Sequence, residues 1–292
     1  MSTPMMIAHL LMEQLHAQPL PRVPESRLVM EAPDQINAFA ESGRDNGILI
    51  HQYLLNAVLA LPVIRPGDTV LDLACGPANQ LTQMARLNPQ SRFIGLDASS
   101  GMLDVAREIL ARESIDNVSL VQGNLACLDM FDTASLDCVL CTMSLHHLPD
   151  TLSLQRTMQE ISRVLKPGGG VFLADFGRLK RLPTQRFFAS DRAELQSEQF
   201  TRDFLDSLRA AFSEDELGTA LTHLAIPTRL YRTALAPFMI ICRSPARRPI
   251  DAETQSRVKA GYQALTPGQQ RDFNNMARWY RAGGLPLPCP VD

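Results

Sequence analysis

The chain lacks the marks of several protein classes. Neither sign of charge dominates: 28 Lys and Arg face 31 Asp and Glu, a formal net charge of −3. Without a basic surplus, a general affinity for nucleic acid is not expected. No apolar run reaches the ~20 residues that span a bilayer. The N-terminal stretch carries Glu13 and no Lys or Arg before Arg22, whereas a signal peptide needs a positive start. A cytoplasmic protein with no membrane partner is expected. Aromatic residues make up only 6% of the chain, with a single Trp. The six cysteines form no disulfide framework. Cys138 and Cys141 spell C-x-x-C, but they lie in a stretch that reads as a strand. Residues three apart on a strand point to opposite faces, so these two are expected as separate, buried small hydrophobes. Cys75 sits in a turn and Cys289 in a tail, and no metal site is predicted.

What remains is ordinary for a folded domain: 45% hydrophobic and 20% charged residues. Val70 to Leu73 read as a buried strand, followed by a small-residue turn at Ala74, Gly76 and Ala78. After a helix, Phe93 to Asp97 read as a second strand ending in a carboxylate. Small residues let a ligand approach the turn's backbone closely. An ionised Asp can accept hydrogen bonds from both hydroxyls of a ribose, and the separation from Gly76 to Asp97 (97 − 76 = 21) suits that role. A pyrophosphate site would need G-x-G-x-x-G. Here Gly76 is the one glycine of the turn, and Pro77 and Asn79 interrupt the pattern, so a nicotinamide-dependent oxidoreductase is disfavoured.

The pattern Asp72-x-Ala74-x-Gly76-x-Ala78 resembles the first motif of class I S-adenosylmethionine (SAM) dependent methyltransferases, which usually carry glycine at all three small positions. The order of the following blocks is similar too. Asn117 to Gln122 reads as a third strand, leading to Gly123-Asn124-Leu125, with Asn124 where the family usually has an adenine-contacting Asp. Asp137 to Thr142 is a fourth strand, running into Met143-Ser144-Leu145-His146-His147. A helix from Glu160 to a Pro167-Gly168 turn then feeds a fifth strand, Val171 to Asp175. The resemblance spans roughly residues 66–176, and the block looks like the small-molecule enzymes typified by those of ubiquinone and menaquinone biosynthesis. It implies an α/β fold, a doubly wound, seven-stranded, mostly parallel Rossmann-like sheet with extra N- and C-terminal helices. It implies SAM as cofactor, held by Asp72, Ala74, Gly76, Asn79 and Gln80 at the turn and by Asp97, Ala98 and Met102 after the second strand. Gly123, Asn124 and Leu125 after the third strand, and Thr142 and Met143 after the fourth, complete the set. The implied function is in-line methyl transfer to a small-molecule acceptor. A non-catalytic SAM-fold partner or scaffold protein, or a protein or peptide methyltransferase, stays open. An arsenic methyltransferase would need convergent thiols, which are missing.

In open α/β sheets ligands bind at the carboxyl ends of strands. His146 and His147 follow the fourth strand and Asp175 ends the fifth. His146 and Asp175 are the catalytic candidates; the plainer readings are a loop-fixing His-His turn and, for Asp175, a helix N-cap or an ion pair with Arg178. His51, Tyr53, His147, Arg178 and Arg186 are candidates for acceptor binding. Arg178, Lys180, Arg181, Arg186 and Arg192 make a basic segment, read either as a solvated loop or as a lid for an anionic acceptor.

The predicted organisation is 1–65, helices covering the site; 66–243, the SAM-binding core with a lid-like insertion at 176–200; and 244–292, a helical extension. Ile7, Leu10, Leu11 and Leu15 form a stripe on a first helix, and His51, Leu54, Leu55 and Val58 one on a second. Ser100, Ser213 with Glu216, and Thr266 with Gln269 are candidate helix caps. Leu230–Leu235 and Phe238–Cys242 read as an antiparallel hairpin at the sheet edge. The added helices could join two copies as a homodimer.

Overall fold

The fold is given by a computed structural model, which describes residues 3–25, 29–43, 47–191 and 193–291. Arg192 of the basic segment lies outside the described residues. Three helices lead in: α1 (Thr3–Gln14), α2 (Pro33–Ser42) and α3 (Ile50–Ala60). Of the stripe expected on α1, only Leu10 is buried; Ile7, Leu11 and Leu15 are exposed. The helix rests on the molecule along one narrow line, where the Lys180 N–H donates to Glu13 at 2.7 Å. The sequence pattern did not announce α2. Pro33 supplies its first turn, and Ile36 and Ala40 form its buried face.

The core then alternates β1 (Thr69–Leu73), α4 (Asn79–Leu87), β2 (Arg92–Asp97), α5 (Ser100–Arg112), β3 (Val118–Gln122), β4 (Leu136–Thr142), α6 (Thr151–Val164) and β5 (Leu165–Phe176). Two helices, α7 (Leu182–Ser190) and α8 (Glu198–Ala210), and α9 (Glu214–Leu221) precede the closing hairpin of β6 (Arg229–Arg232) and β7 (Met239–Arg243). The chain ends on α10 (Ala252–Ala264) and α11 (Pro267–Ala282). Strand order is β3-β2-β1-β4-β5-β7-β6. Pairing is parallel from β3 to β5, and β7 runs antiparallel to both β5 and β6. The chain winds outward from β1 to β3, then returns to the other side of β1 with β4. The crevice between β1 and β4 is therefore the topological switch point at which such sheets bind ligands.

Helices cover both faces, which is why the central strands are apolar throughout. Cys138 packs in the core on one face and Cys141 in the core on the other, and both are free thiols, as a strand position three residues apart requires.

Two local expectations change. The helix expected to run to the Pro-Gly turn stops at Val164, and β5 already begins at Leu165. Proline and glycine cannot prolong a helix cheaply. The strand absorbs them with a register shift between the Leu136 and Cys138 pairs. Gly170 is obligatory there, since a Cβ would lie 2.2 Å from the Val63 carbonyl oxygen. The cap of α5 is Ser99 rather than Ser100, its hydroxyl accepting from the Met102 N–H at 3.2 Å. Both capping boxes are formed. Among the described residues no helix is long and apolar enough to cross a membrane.

Candidate active site at the switch point

The turn after β1 is left-handed at three residues: φ is +53° at Ala74, +55° at Gly76 and +63° at Ala78. This conformation turns the Gly76 N–H toward β2, where it donates to Asp97 Oδ2 at 2.8 Å. Asp97 Oδ1 accepts from the Ser99 N–H at 2.9 Å. One carboxylate thus ties the ends of both strands together. Burial pushes the Asp97 carboxyl up, and the Ser99 and Gly76 N–H groups pull it back. Asp72 lies below the turn and is almost fully buried. Burial, with the nearby Asp97 charge, raises its carboxyl to about 8. Among the described residues no group donates a hydrogen bond to it.

A cavity of about 270 Å³ opens above this turn. It is lined by every residue predicted for the cofactor except Asp72. Several of these also hold the cover in place. Asn79 donates to the Ala40 carbonyl at 3.0 Å, and Gln80 to the Tyr53 carbonyl at 2.9 Å. The Asn124 side-chain oxygen accepts from the Ala126 N–H at 2.9 Å, which shapes its own turn.

Beside it lies a chamber of about 410 Å³, meeting the first cavity at Met30, Phe39, Tyr53, Met143 and His147. Phe176, Phe188, Phe204, Phe238 and Trp279 supply much of its wall. His51, Tyr53, His146 and His147 all face it. Asp175 does not. It lies behind His146, with Oδ1 2.6 Å from His146 Nδ1 and Oδ2 accepting from the His146 N–H at 2.9 Å. Burial opposes charging His146, and the Asp175 carboxylate outweighs it, so the imidazole is held above its ordinary value. In the neutral imidazole, an Nδ1–H donated to Asp175 leaves the Nε2 lone pair free.

The expected Asp175–Arg178 pair is not formed. Arg178 is buried against Glu216 at 2.8 Å, the residue that closes the capping box of α9. Neither Arg178 nor Arg186 lines either cavity; Arg186 is exposed on α7. The described residues of segment 176–200 contribute the Phe176, Phe188 and Phe200 rings to the chamber, and no Arg or Lys among them lines it. Among the described lining residues Arg278 is the one Arg or Lys, set against Asp191, Asp203 and Asp272.

A strap of chain before α2 was not foreseen. The Arg22 guanidinium lies over the Phe212 ring, 4.0 Å from its centroid. It donates to the carbonyl oxygens of His146 at 2.9 Å and Ala210 at 2.6 Å. This pins the strap across the loop after β4 and brings Glu25 to His147, 2.9 Å from Nδ1. Phe39 was missed with its helix, although Ile36, Phe39 and Ala40 have helical spacing. Nothing local marked Glu25.

A family model described as "Methyltransferase domain" matches residues 64–223. A demethylmenaquinone methyltransferase of Lactococcus lactis is 38% identical over 106 residues, covering 36% of this chain and 40% of that protein. An uncharacterized 37.1 kDa protein in transposon TN4556 of Streptomyces fradiae is 28% identical over 204 residues, 68% of this chain and 54% of that one. The chain thus spans about half the length of the curated relatives it matches. A SAM dependent methyltransferase from Aquifex aeolicus has a similar fold, with TM-score 0.54 at 16% identity, covering 74% of this chain and 98% of that one.

Proposed function

Starting from the chain's membership of the methyltransferase-domain family, whose methyl donor is SAM, we propose that it methylates a small-molecule acceptor seated in the aromatic chamber. One observation carries this reading. The cavity lined by the motif residues opens directly into an apolar chamber, and His146 and His147 stand at the polar end of that chamber.

The lining suits the donor. Beneath the lining, the buried Asp72 carboxyl has no hydrogen-bond donor among the described residues, and a cationic ligand above the turn would favour its ionised form. Asp97 is placed to accept from a ribose, with the apolar Leu96, Met102 and Leu125 beside it. When bound, SAM supplies an activated methyl group on a sulfonium. The protein's contribution is chiefly alignment, which lowers such barriers by roughly 7–11 kcal/mol. Helices α2 and α3 line both cavities, and α11 lines the chamber. Burial pushes the Tyr53 phenol up, so it stays neutral at the junction. His146 offers an Nε2 lone pair of fixed direction to the polar end, and Asp175 is its positioning residue. The chamber's aromatic wall favours a ring-bearing acceptor. The segments before residue 66 and after 243 then serve as cover, not as separate units.

Calorimetry with SAM and S-adenosylhomocysteine tests the donor half. Mass spectrometry of aromatic candidate acceptors, looking for one added methyl, tests the other. Micromolar binding of both adenosyl ligands and a methylated product are expected. Absence of adenosyl binding would sink the reading.

A further inference from the structure

The strap brings a third donor to the two histidines. Glu25, His146 and His147 each place one ligand-type atom within 4.8 Å of the others. The closer approaches are 2.9 Å from Glu25 Oε2 to His147 Nδ1 and 3.8 Å from Glu25 Oε1 to His146 Nε2. Two imidazole nitrogens and a carboxylate are the donor set that first-row divalent ions take. We propose that Glu25, His146 and His147 form a binding site for a divalent transition-metal ion such as Zn2+ at the polar end of the acceptor chamber.

Three features beyond proximity point this way. Metal-binding histidines generally donate their other ring N–H to a carboxylate, which fixes the tautomer and raises ligand basicity. His146 does this toward Asp175 at 2.6 Å, and the lone pair so exposed is on Nε2, the atom facing Glu25. Ligand carboxylates are themselves hydrogen-bonded, and the Ser207 hydroxyl donates to Glu25 Oε1 at 2.8 Å. The local charge also favours a cation. Asp203 lies near enough to Glu25 for the two carboxylates to repel, and the Arg22 guanidinium is held on the backbone carbonyl of His146, not on its ring.

His146, His147 and Ser207 all line the chamber, so the remaining coordination positions face the acceptor. Three protein ligands with an open position is the pattern of catalytic metal sites. The site suits an acceptor with a hydroxyl or carbonyl oxygen at its reacting end. This deepens the methyltransferase reading and rests on it.

The full chain, stripped by a chelator, is titrated with Co2+ and Zn2+ by calorimetry, and the Co2+ form is followed by visible absorption. SAM binding is measured on the same samples. One equivalent of ion is expected, with absorption bands of a nitrogen- and oxygen-ligated Co2+. Glu25→Gln keeps the size of the side chain and should weaken ion binding at least tenfold while SAM binding stays within twofold. His146→Gln should lose the bands. A wild-type chain that binds SAM but no stoichiometric ion overturns this inference alone. Equal ion affinity in wild type and Glu25→Gln also overturns it. If SAM fails to bind as well, the methyltransferase reading falls with it. The wild-type Co2+ spectrum decides even where a variant does not fold.

Discussion

The two cavities that meet at Tyr53 and Met143 are built by different means. Most of the first cavity, the one proposed for the cofactor, follows directly from strand ends: Ala74 to Pro77 after β1, Asp97 and Ala98 at β2, Gly123 to Ala126 after β3, and Thr142 to Ser144 at β4. Backbone turns shape it, so its geometry is tied to the sheet. The chamber draws Phe39 from α2, Tyr53 from α3, Phe204 from α8, Phe238 from the closing hairpin and Trp279 from α11. Side chains shape it, and they come from segments far apart in sequence. A wall of the first kind is hard to alter without disturbing the fold. A wall of the second kind can be rebuilt by substitution, which is how one core serves many acceptors.

The sharpest way to break the contrast is at the carboxylate that joins two strand ends. Asp97→Ala removes the acceptor for the Gly76 and Ser99 N–H groups as well as the proposed ribose contact. Hydrogen bonds to a charged group contribute about 1.5–3 kcal/mol each, so SAM affinity measured by calorimetry should fall roughly 100-fold or more. A loss below tenfold would mean that the cavity does not hold its ligand through Asp97.

Asp72 tests the same side through stability. The folded chain holds its carboxyl at about 8, above the ordinary value it takes when unfolded, so the native state binds more protons between those values. Stability from this group is complete at acid pH, declines as pH rises toward about 8, and then levels off. Asp72→Asn removes the dependence. The Tm of the variant minus that of the wild type should therefore grow from pH 5 to pH 8.5, by at least ~2 °C, given that ~1 kcal/mol moves a chain of this size by about that much. A difference independent of pH would show that Asp72 titrates normally. The effect should be measured without SAM, because a bound cation would favour the ionised form.

The chamber contains the chain's single tryptophan, and Trp279 lies 6.2 Å from the Phe238 ring and 6.1 Å from Phe188. Its fluorescence is a reporter built into one cavity only. An aromatic acceptor should quench or shift the emission, while S-adenosylhomocysteine alone leaves it nearly unchanged. Trp279→Ala should raise the acceptor KM about tenfold, equivalent to ~1.4 kcal/mol, with SAM affinity within twofold. If SAM affinity falls equally, the two cavities are not separable in the way their construction suggests.

The same difference explains what was legible in the sequence. The turn at Ala74–Ala78 and the carboxylate at Asp97 are local patterns with a fixed separation, so the lining of the first cavity could be named residue by residue, Asp72 excepted. The acceptor side depends on which segments converge. For Asp175, local reasoning offered a helix cap or an ion pair with Arg178, three residues on. The fold gives Arg178 to Glu216, which the α9 capping box holds in place, and leaves Asp175 to His146. Glu25 could not be read at all, because its meeting with His147 is set by the Arg22 guanidinium lying on Phe212.

The smallest predicted effect lies within the turn itself and compares two alanines in the same conformation. A non-glycine residue with positive φ costs about 1–2 kcal/mol, and glycine returns part of that gain through the unfolded chain's extra freedom, about 0.5–1 kcal/mol. Ala74 is half-buried, so Ala74→Gly loses little packing and should stabilise the protein by up to ~1 kcal/mol. Ala78 is fully buried, and removing its methyl forfeits about 0.8 kcal/mol, so Ala78→Gly should come out near neutral. Denaturant unfolding of the two variants checks the ranking. A destabilised Ala74→Gly would mean that its methyl group packs against something more valuable than the strain it carries.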